Sequence, residues 1–91
     1  KEKKMIQVKK FEAKWCGPCK ALKPIFENVS NKFGNNVNFS YIDIDEQFEV
    51  AQQYHVRSVP TVIIEKDGEV VQRFVGVQSE LAYTNSINEN L

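Results

Sequence analysis

The alternation of apolar and polar residues along the chain predicts a strand, a helix and a second strand in its first half. Residues 5–11, MIQVKKF, form a short β-prone run. Residues 17–33 place apolar side chains at 19, 22, 25, 26, 29 and 33, which is helical spacing, and Gly34 ends the pattern. Pro24 falls inside this helix, where it removes one backbone hydrogen bond and is expected to kink the axis. VNFSYIDI (37–44) alternates as a strand does. EQFEVAQQYHV (46–56) predicts a shorter helix with Phe48, Ala51 and Val56 inward. PTVIIEK (60–66) and EVVQRFV (69–75) read as two strands joined at Asp67-Gly68, a two-residue hairpin turn, and residues 79–90 make a last, weakly amphipathic helix. No repeat, linker or low-complexity segment interrupts the series.

The predicted order is β-α-β-α-β-β-α, an α/β architecture. A strand, a helix and a strand favour a parallel crossover, and the hairpin then adds antiparallel strands. A central mixed four-stranded sheet flanked by helices follows, with the first strand buried on both faces.

Composition narrows the function classes. Ninety-one residues are expected to fold as one small domain spanning 1–91, with 42% apolar content to build its core. Twelve basic and twelve acidic residues cancel, so no global field attracts nucleic acid or an anionic membrane surface. No apolar run approaches the ~18 residues of a membrane span. KEKKMIQVKK has charge but no apolar signal region, which fits the cytosol. Met5 is a candidate natural start, and Lys1 to Lys4 are given no functional weight.

The chemistry sits in residues 14–20, KWCGPCK, which hold both cysteines. A structural zinc site needs four ligands, C-x-x-C supplies two, and His55 is the only other soft candidate. Haem attachment needs a histidine after the second cysteine, and position 20 is lysine. A purely structural disulfide would close a very short loop and stabilise little by chain entropy. A redox pair suits the location better. Cys16 falls at a strand-to-helix junction, where unpaired N–H groups and the helix dipole favour a thiolate, the nucleophile of disulfide exchange. Lys14 and Lys20 add positive potential. Cys16 is expected to be exposed and to alkylate before Cys19, which lies one turn into the helix and can resolve a mixed disulfide. Gly17 permits close approach of a partner chain, and Pro18 fixes the first turn.

AKWCGPCK resembles the active-site stretch of the thioredoxin family. The likeness continues through Pro24, YIDIDE (41–46), VRSVPT (56–61), KDGEVV (66–71) and FVG (74–76), and covers residues 6–91. The resemblance implies a thiol–disulfide oxidoreductase that reduces protein disulfides through Cys16 and Cys19. It implies no bound cofactor or metal, and a monomer in the cytoplasm that is recharged by a thioredoxin reductase-like donor. It makes Val59-Pro60 a cis peptide facing the cysteines. It also makes Trp15, Gly17, Pro18, Val59, Pro60 and the loop at Gly76 a docking surface for an extended substrate strand. Gly-Pro between the cysteines resembles the reducing members. The alternatives are an exported dithiol oxidase or isomerase, and a binding module with incidental redox activity.

Three departures from the family pattern stand out. The strand and helix that usually precede the active-site strand are missing, so the resemblance is to a short form. The usual buried acid six residues before the first cysteine is Lys10, and the bulky aromatic four residues before it is Glu12. Strand period puts Lys10 and Glu12 on one face. Either they pair, or Lys10 extends its amine to solvent. A proton-relay role for Cys19 and a pair of solvated charges without function both remain open. His55 is read as a surface or helix-end residue, and YIDIDE as a strand ending in a helix cap rather than a metal cluster. Asn28-Val29-Ser30 and Asn38-Phe39-Ser40 are read as chance matches to the glycosylation pattern.

Overall fold

Phe11, Val8 and Ile6 anchor the first strand, and a computed structural model describing residues 5–91 places it inside the sheet. The elements are β1 (Ile6–Glu12), α1 (Gly17–Phe33), a 3₁₀ turn (Gly34–Asn36), β2 (Val37–Asp43), α2 (Phe48–Gln53), β3 (Thr61–Lys66), β4 (Glu69–Val75) and α3 (Glu80–Asn90). This is the order the sequence predicts; Lys1 to Lys4 lie outside the described residues.

The sheet order is β2-β1-β3-β4. β1 and β2 pair in parallel from Ile6↔Val37 to Glu12↔Asp43. β3 runs antiparallel to β1, and β4 antiparallel to β3 with one irregularity beside Ile64 and Glu65. Asp67 and Gly68 turn the hairpin with φ of 53° and 90°, the left-handed pair that a two-residue turn requires.

Each sheet face carries its own apolar cluster. On one, Ile6, Val8, Val62 and Ile64 meet Leu22, Phe26 and Val29 of α1 and Tyr83 and Ile87 of α3. The α1 residues are those whose spacing predicts the helix. On the other, Phe11, Ile42 and Ile63 pack with Ala51 of α2. Two expectations need correction here. Phe48 is not inward but 61% exposed: α2 spans only Phe48–Gln53, and Phe48 stands in its first turn outside the cluster. β1 is not fully buried on both faces, because so short a helix covers Phe11 but leaves Gln7 and Lys9 half-buried. β3 is the strand buried continuously, from Thr61 to Glu65.

That incomplete cover admits a polar network beside α2. Lys9 Nζ donates to Glu65 Oε1 at 2.9 Å and to Gln7 Oε1 at 2.8 Å, and the Tyr54 hydroxyl donates to Glu65 Oε2 at 2.5 Å. Burial pushes the Glu65 carboxyl upward, but the bonds from Tyr54 and Lys9 outweigh it and hold the group below its usual 4.5. The bond to Glu65, with burial, pushes Tyr54 from 10.0 to about 12. A lowered Glu65 adds stability that is present above its unfolded value and lost as pH falls through the folded one. A raised Tyr54 adds stability that is present below 10.0 and lost as pH climbs through about 12. Tyr54→Phe should therefore cost roughly 1–2 kcal/mol at neutral pH. It should also shrink the acid decline, because without the Tyr54 bond the folded Glu65 value moves up toward its unfolded one, and remove the Tyr54 share of the alkaline decline. Urea unfolding of both proteins across the pH range measures this; parallel curves with no offset would show that the network is not coupled to folding.

Candidate active site

The site grows from the end of β1. Ala13 is buried, and its carbonyl accepts from the Cys16 N–H at 3.2 Å, closing the turn through Lys14 and Trp15. Cys16 is the N-cap of α1 in extended conformation, and its Sγ accepts from the Cys19 N–H at 3.1 Å. A side chain with oxygen usually fills this role; here the capping atom is the reactive sulfur. Pro18 stands at the start of the helix, where its missing donor costs nothing.

Cys16 and Cys19 are joined as a disulfide, with Cα atoms 5.3 Å apart. Both are buried, at 3% and 4% exposure, against Ala13, Ile44 and Val59. The expectation of an exposed Cys16 is therefore not met in the oxidised protein: its sulfur is bonded to Cys19 and packed in the apolar seat.

The opposite wall is the segment before β3. Val59-Pro60 is cis, as the resemblance implies, and the Val59 carbonyl oxygen lies 3.6 Å from Cys16 Sγ. The Gly76 N–H donates to the Pro60 carbonyl at 2.9 Å, with Gly76 at φ 85°. The fold thus sets the Val59 carbonyl against the Cys16 sulfur, and Gly76 is bonded to Pro60, the next residue along the chain. Gly17 and Pro18 are exposed beside it, and the space next to the Gly17 α-carbon is open to 4 Å.

Trp15 is 67% exposed and is no core aromatic. Its Nε1 donates to Asp45 Oδ2 at 2.9 Å, and Lys14 Nζ reaches Glu46 Oε2 at 3.2 Å. Asp43 Oδ1 accepts from the N–H groups of Asp45 and Glu46. The acids of YIDIDE therefore shape a loop and hold Trp15. The expected helix cap is absent, since the residue capping α2 is Gln47, whose side chain makes no capping bond. His55 is exposed at φ 60°, just past α2.

Lys10 is the unusual member. It is 2% exposed on the α1 face of the sheet, and its Nζ lies 2.9 Å from Glu12 Oε1 and 5.7 Å from the ring centroids of Phe26 and Tyr41. Of the two arrangements open from sequence, the structure takes the pair. Glu12 keeps 31% of its side chain exposed, so the carboxylate is the wet end and the ammonium the dry one. Lys10, Glu12 and Cys19 all line one groove of about 350 Å³.

The family model described as Thioredoxin matches residues 1–89. The chain belongs to the thioredoxin family. It is 41% identical over 81 residues to thioredoxin from Bacillus subtilis (strain 168), a match covering 89% of this chain and 78% of that protein. It is 44% identical over 80 residues to thioredoxin from Chlamydia pneumoniae, covering 88% and 78%. The solved thioredoxin of Nicotiana alata superposes with a TM-score of 0.88 at 36% identity, covering 94% of this chain and 73% of that one. Family membership and the joined cysteines together support thiol–disulfide oxidoreductase chemistry. Sequence reasoning placed the cysteines of this thioredoxin-family chain but missed Asp45 as the partner of Trp15, Ala13 and Ile44 as the seat of the disulfide, and the Val59 carbonyl. Asp45 stands within the quoted acidic run, and only the loop geometry tells it from its neighbours.

Proposed function

We propose that this chain reduces protein disulfides, as one thioredoxin-like domain working as a monomer in a reducing cytoplasm. The observation that carries the reading is the Cys19 N–H bond to Cys16 Sγ at the start of α1. It stabilises negative charge on that sulfur and marks it as the attacking atom. The Cys16 thiolate attacks a sulfur of the target, and one target thiolate leaves. Cys19 then attacks the mixed disulfide at Cys16, releasing the second target thiolate and restoring the Cys16–Cys19 bond. Two electrons pass to the target, so no bound cofactor is required, and a thioredoxin reductase-like dithiol donor reloads the pair. An extended target strand would lie along Trp15, Gly17, Pro18, Val59, Pro60 and Gly76, pairing with backbone before Pro60. In the reduced protein, partial iodoacetamide labelling followed by mass mapping should find Cys16 modified first. Preferential labelling of Cys19 would reverse the two roles.

Resolution requires Cys19 to lose a proton, and Glu12 and Lys10 line the same groove as Cys19. In this proposal Glu12 accepts that proton, and Lys10, losing its carboxylate partner, becomes the counter-ion of the Cys19 thiolate. No net charge is then created in the groove, and the proton reaches water through the exposed side of Glu12. Stopped-flow decay of a mixed disulfide on Cys16 tests it. Glu12→Gln should slow decay by about tenfold or more while leaving the first attack unchanged. Matching pH profiles for wild type, Glu12→Gln and Lys10→Met would remove Lys10 and Glu12 from the mechanism.

A further inference from the structure

Among the described residues, Tyr83 is the largest side chain that the core buries completely. Its ring packs against Phe26 of α1 and Phe74 of β4, with centroids at 5.0 and 5.1 Å and both pairs edge-on. A phenylalanine would make the same contacts. The hydroxyl is the addition, and a buried hydroxyl costs stability unless it finds a partner. Its partner is the Gln78 N–H, which donates to the Tyr83 oxygen at 3.0 Å.

That bond ties the core to the loop between β4 and α3. Ser79 caps α3 and accepts from the Ala82 N–H at 3.1 Å. Gln78 is therefore the residue before the cap, and Tyr83 is the fourth residue of the helix. An apolar contact between these two positions often fixes the angle at which a chain enters a helix. Here a hydrogen bond links them instead. The rest of the loop is held as well: Gln78 Nε2 donates to the Val75 carbonyl at 3.3 Å, and the Gly76 N–H donates to the Pro60 carbonyl at 2.9 Å. Val75 and Val77 remain exposed. The loop thus presents exposed valines on a backbone anchored at Pro60 and at Tyr83.

We propose that the Tyr83 hydroxyl is a positioning group for protein targets: it holds loop 76–78 in the shape against which a target strand docks. The inference rests on the disulfide-reductase reading above and adds to it a residue that sets how tightly targets are held. Tyr83 acts only through Gln78. It is not among the residues packed about the disulfide, which are Ala13, Ile44 and Val59, so its hydroxyl has no part in the attack by Cys16. Without the hydroxyl, the Gln78 N–H has to turn to water, and the loop has more shapes to give up when a target binds. The cost falls on docking, as a raised half-saturation concentration, and not on the chemical step.

Stopped-flow oxidation of the reduced protein by insulin, followed through the fluorescence of Trp15, separates the two quantities. Tyr83→Phe should raise the half-saturating insulin concentration about fivefold and keep the limiting rate within about twofold. Its second-order rate with hydroxyethyl disulfide, which is too small to reach along the loop, should also stay within about twofold. Ile87→Val, a core change in the same cluster as the Tyr83 ring, should leave the half-saturation as in wild type. In deuterium exchange the Gln78 amide of wild type should be protected about tenfold or more, and Tyr83→Phe should remove that protection while buried Val62 keeps its own. An unchanged half-saturation in Tyr83→Phe, equal slowing with both disulfides, or the same rise in Ile87→Val would overturn the proposal. So would an unprotected Gln78 amide in wild type, a result that needs no variant to fold. If wild type reduces insulin and Tyr83→Phe matches it at every concentration, the loop inference alone fails. If reduced wild type does not reduce insulin, the reductase reading fails and takes the loop inference with it.

Discussion

The parallel pairing of β1 with β2 governs the rest of the molecule. A chain that must return to start a parallel neighbour needs a crossover, and α1 supplies it. The N-terminus of α1 then has to lie at the C-terminal end of β1. That end is where free N–H groups and the positive end of the helix dipole collect. Cys16 is therefore not simply near a helix start; the topology gives the helix start no other place. The antiparallel β3 enters beside β1 from the same end, with Phe11 opposite Thr61, which sets Val59 and Pro60 across from the sulfur.

Lys10 shows how the same frame carries a charge into the core. Its backbone position on the α1 face is fixed by Ile6 and Val8, two residues apart on one strand. A buried ammonium without partners would destabilise the sheet by several kcal/mol. The Glu12 carboxylate and the faces of Phe26 and Tyr41 offset that penalty, the rings by attraction of the cation to their electron-rich faces. Such a pair contributes little net stability compared with apolar side chains of equal volume. What it adds is a polar wall on the groove that reaches Cys19.

Much of this was legible in the sequence because period and punctuation are local. The spacing of Leu22, Phe26, Val29 and Phe33, closed by Gly34, marks α1 to its last residue. Asp67-Gly68 marks the hairpin for the same reason: few side chains tolerate those φ values. The errors have a common origin in tertiary geometry. Phe48 reads as inward by helical spacing, but whether a face is covered depends on how far a short helix extends over a sheet. The choice between a Lys10–Glu12 pair and a solvated lysine depends on side-chain reach across one strand face. The burial of Cys16 depends on packing between elements, since Ala13, Ile44 and Val59 close around the disulfide. The Lys9–Glu65–Tyr54 network joins residues far apart in the chain, and no local pattern announces it.

The capping bond between the Cys19 N–H and Cys16 Sγ ties the chemistry to the topology. The crossover helix leaves this N–H without an intrahelical partner, and Cys16, as N-cap, supplies the sulfur that takes it. In the proposed cycle the same bond favours charge on Cys16 in the dithiol and makes that sulfur the one that attacks. The two sulfurs have different surroundings: Cys16 lies 3.6 Å from the Val59 carbonyl oxygen, and Cys19 lines the groove that Lys10 and Glu12 share.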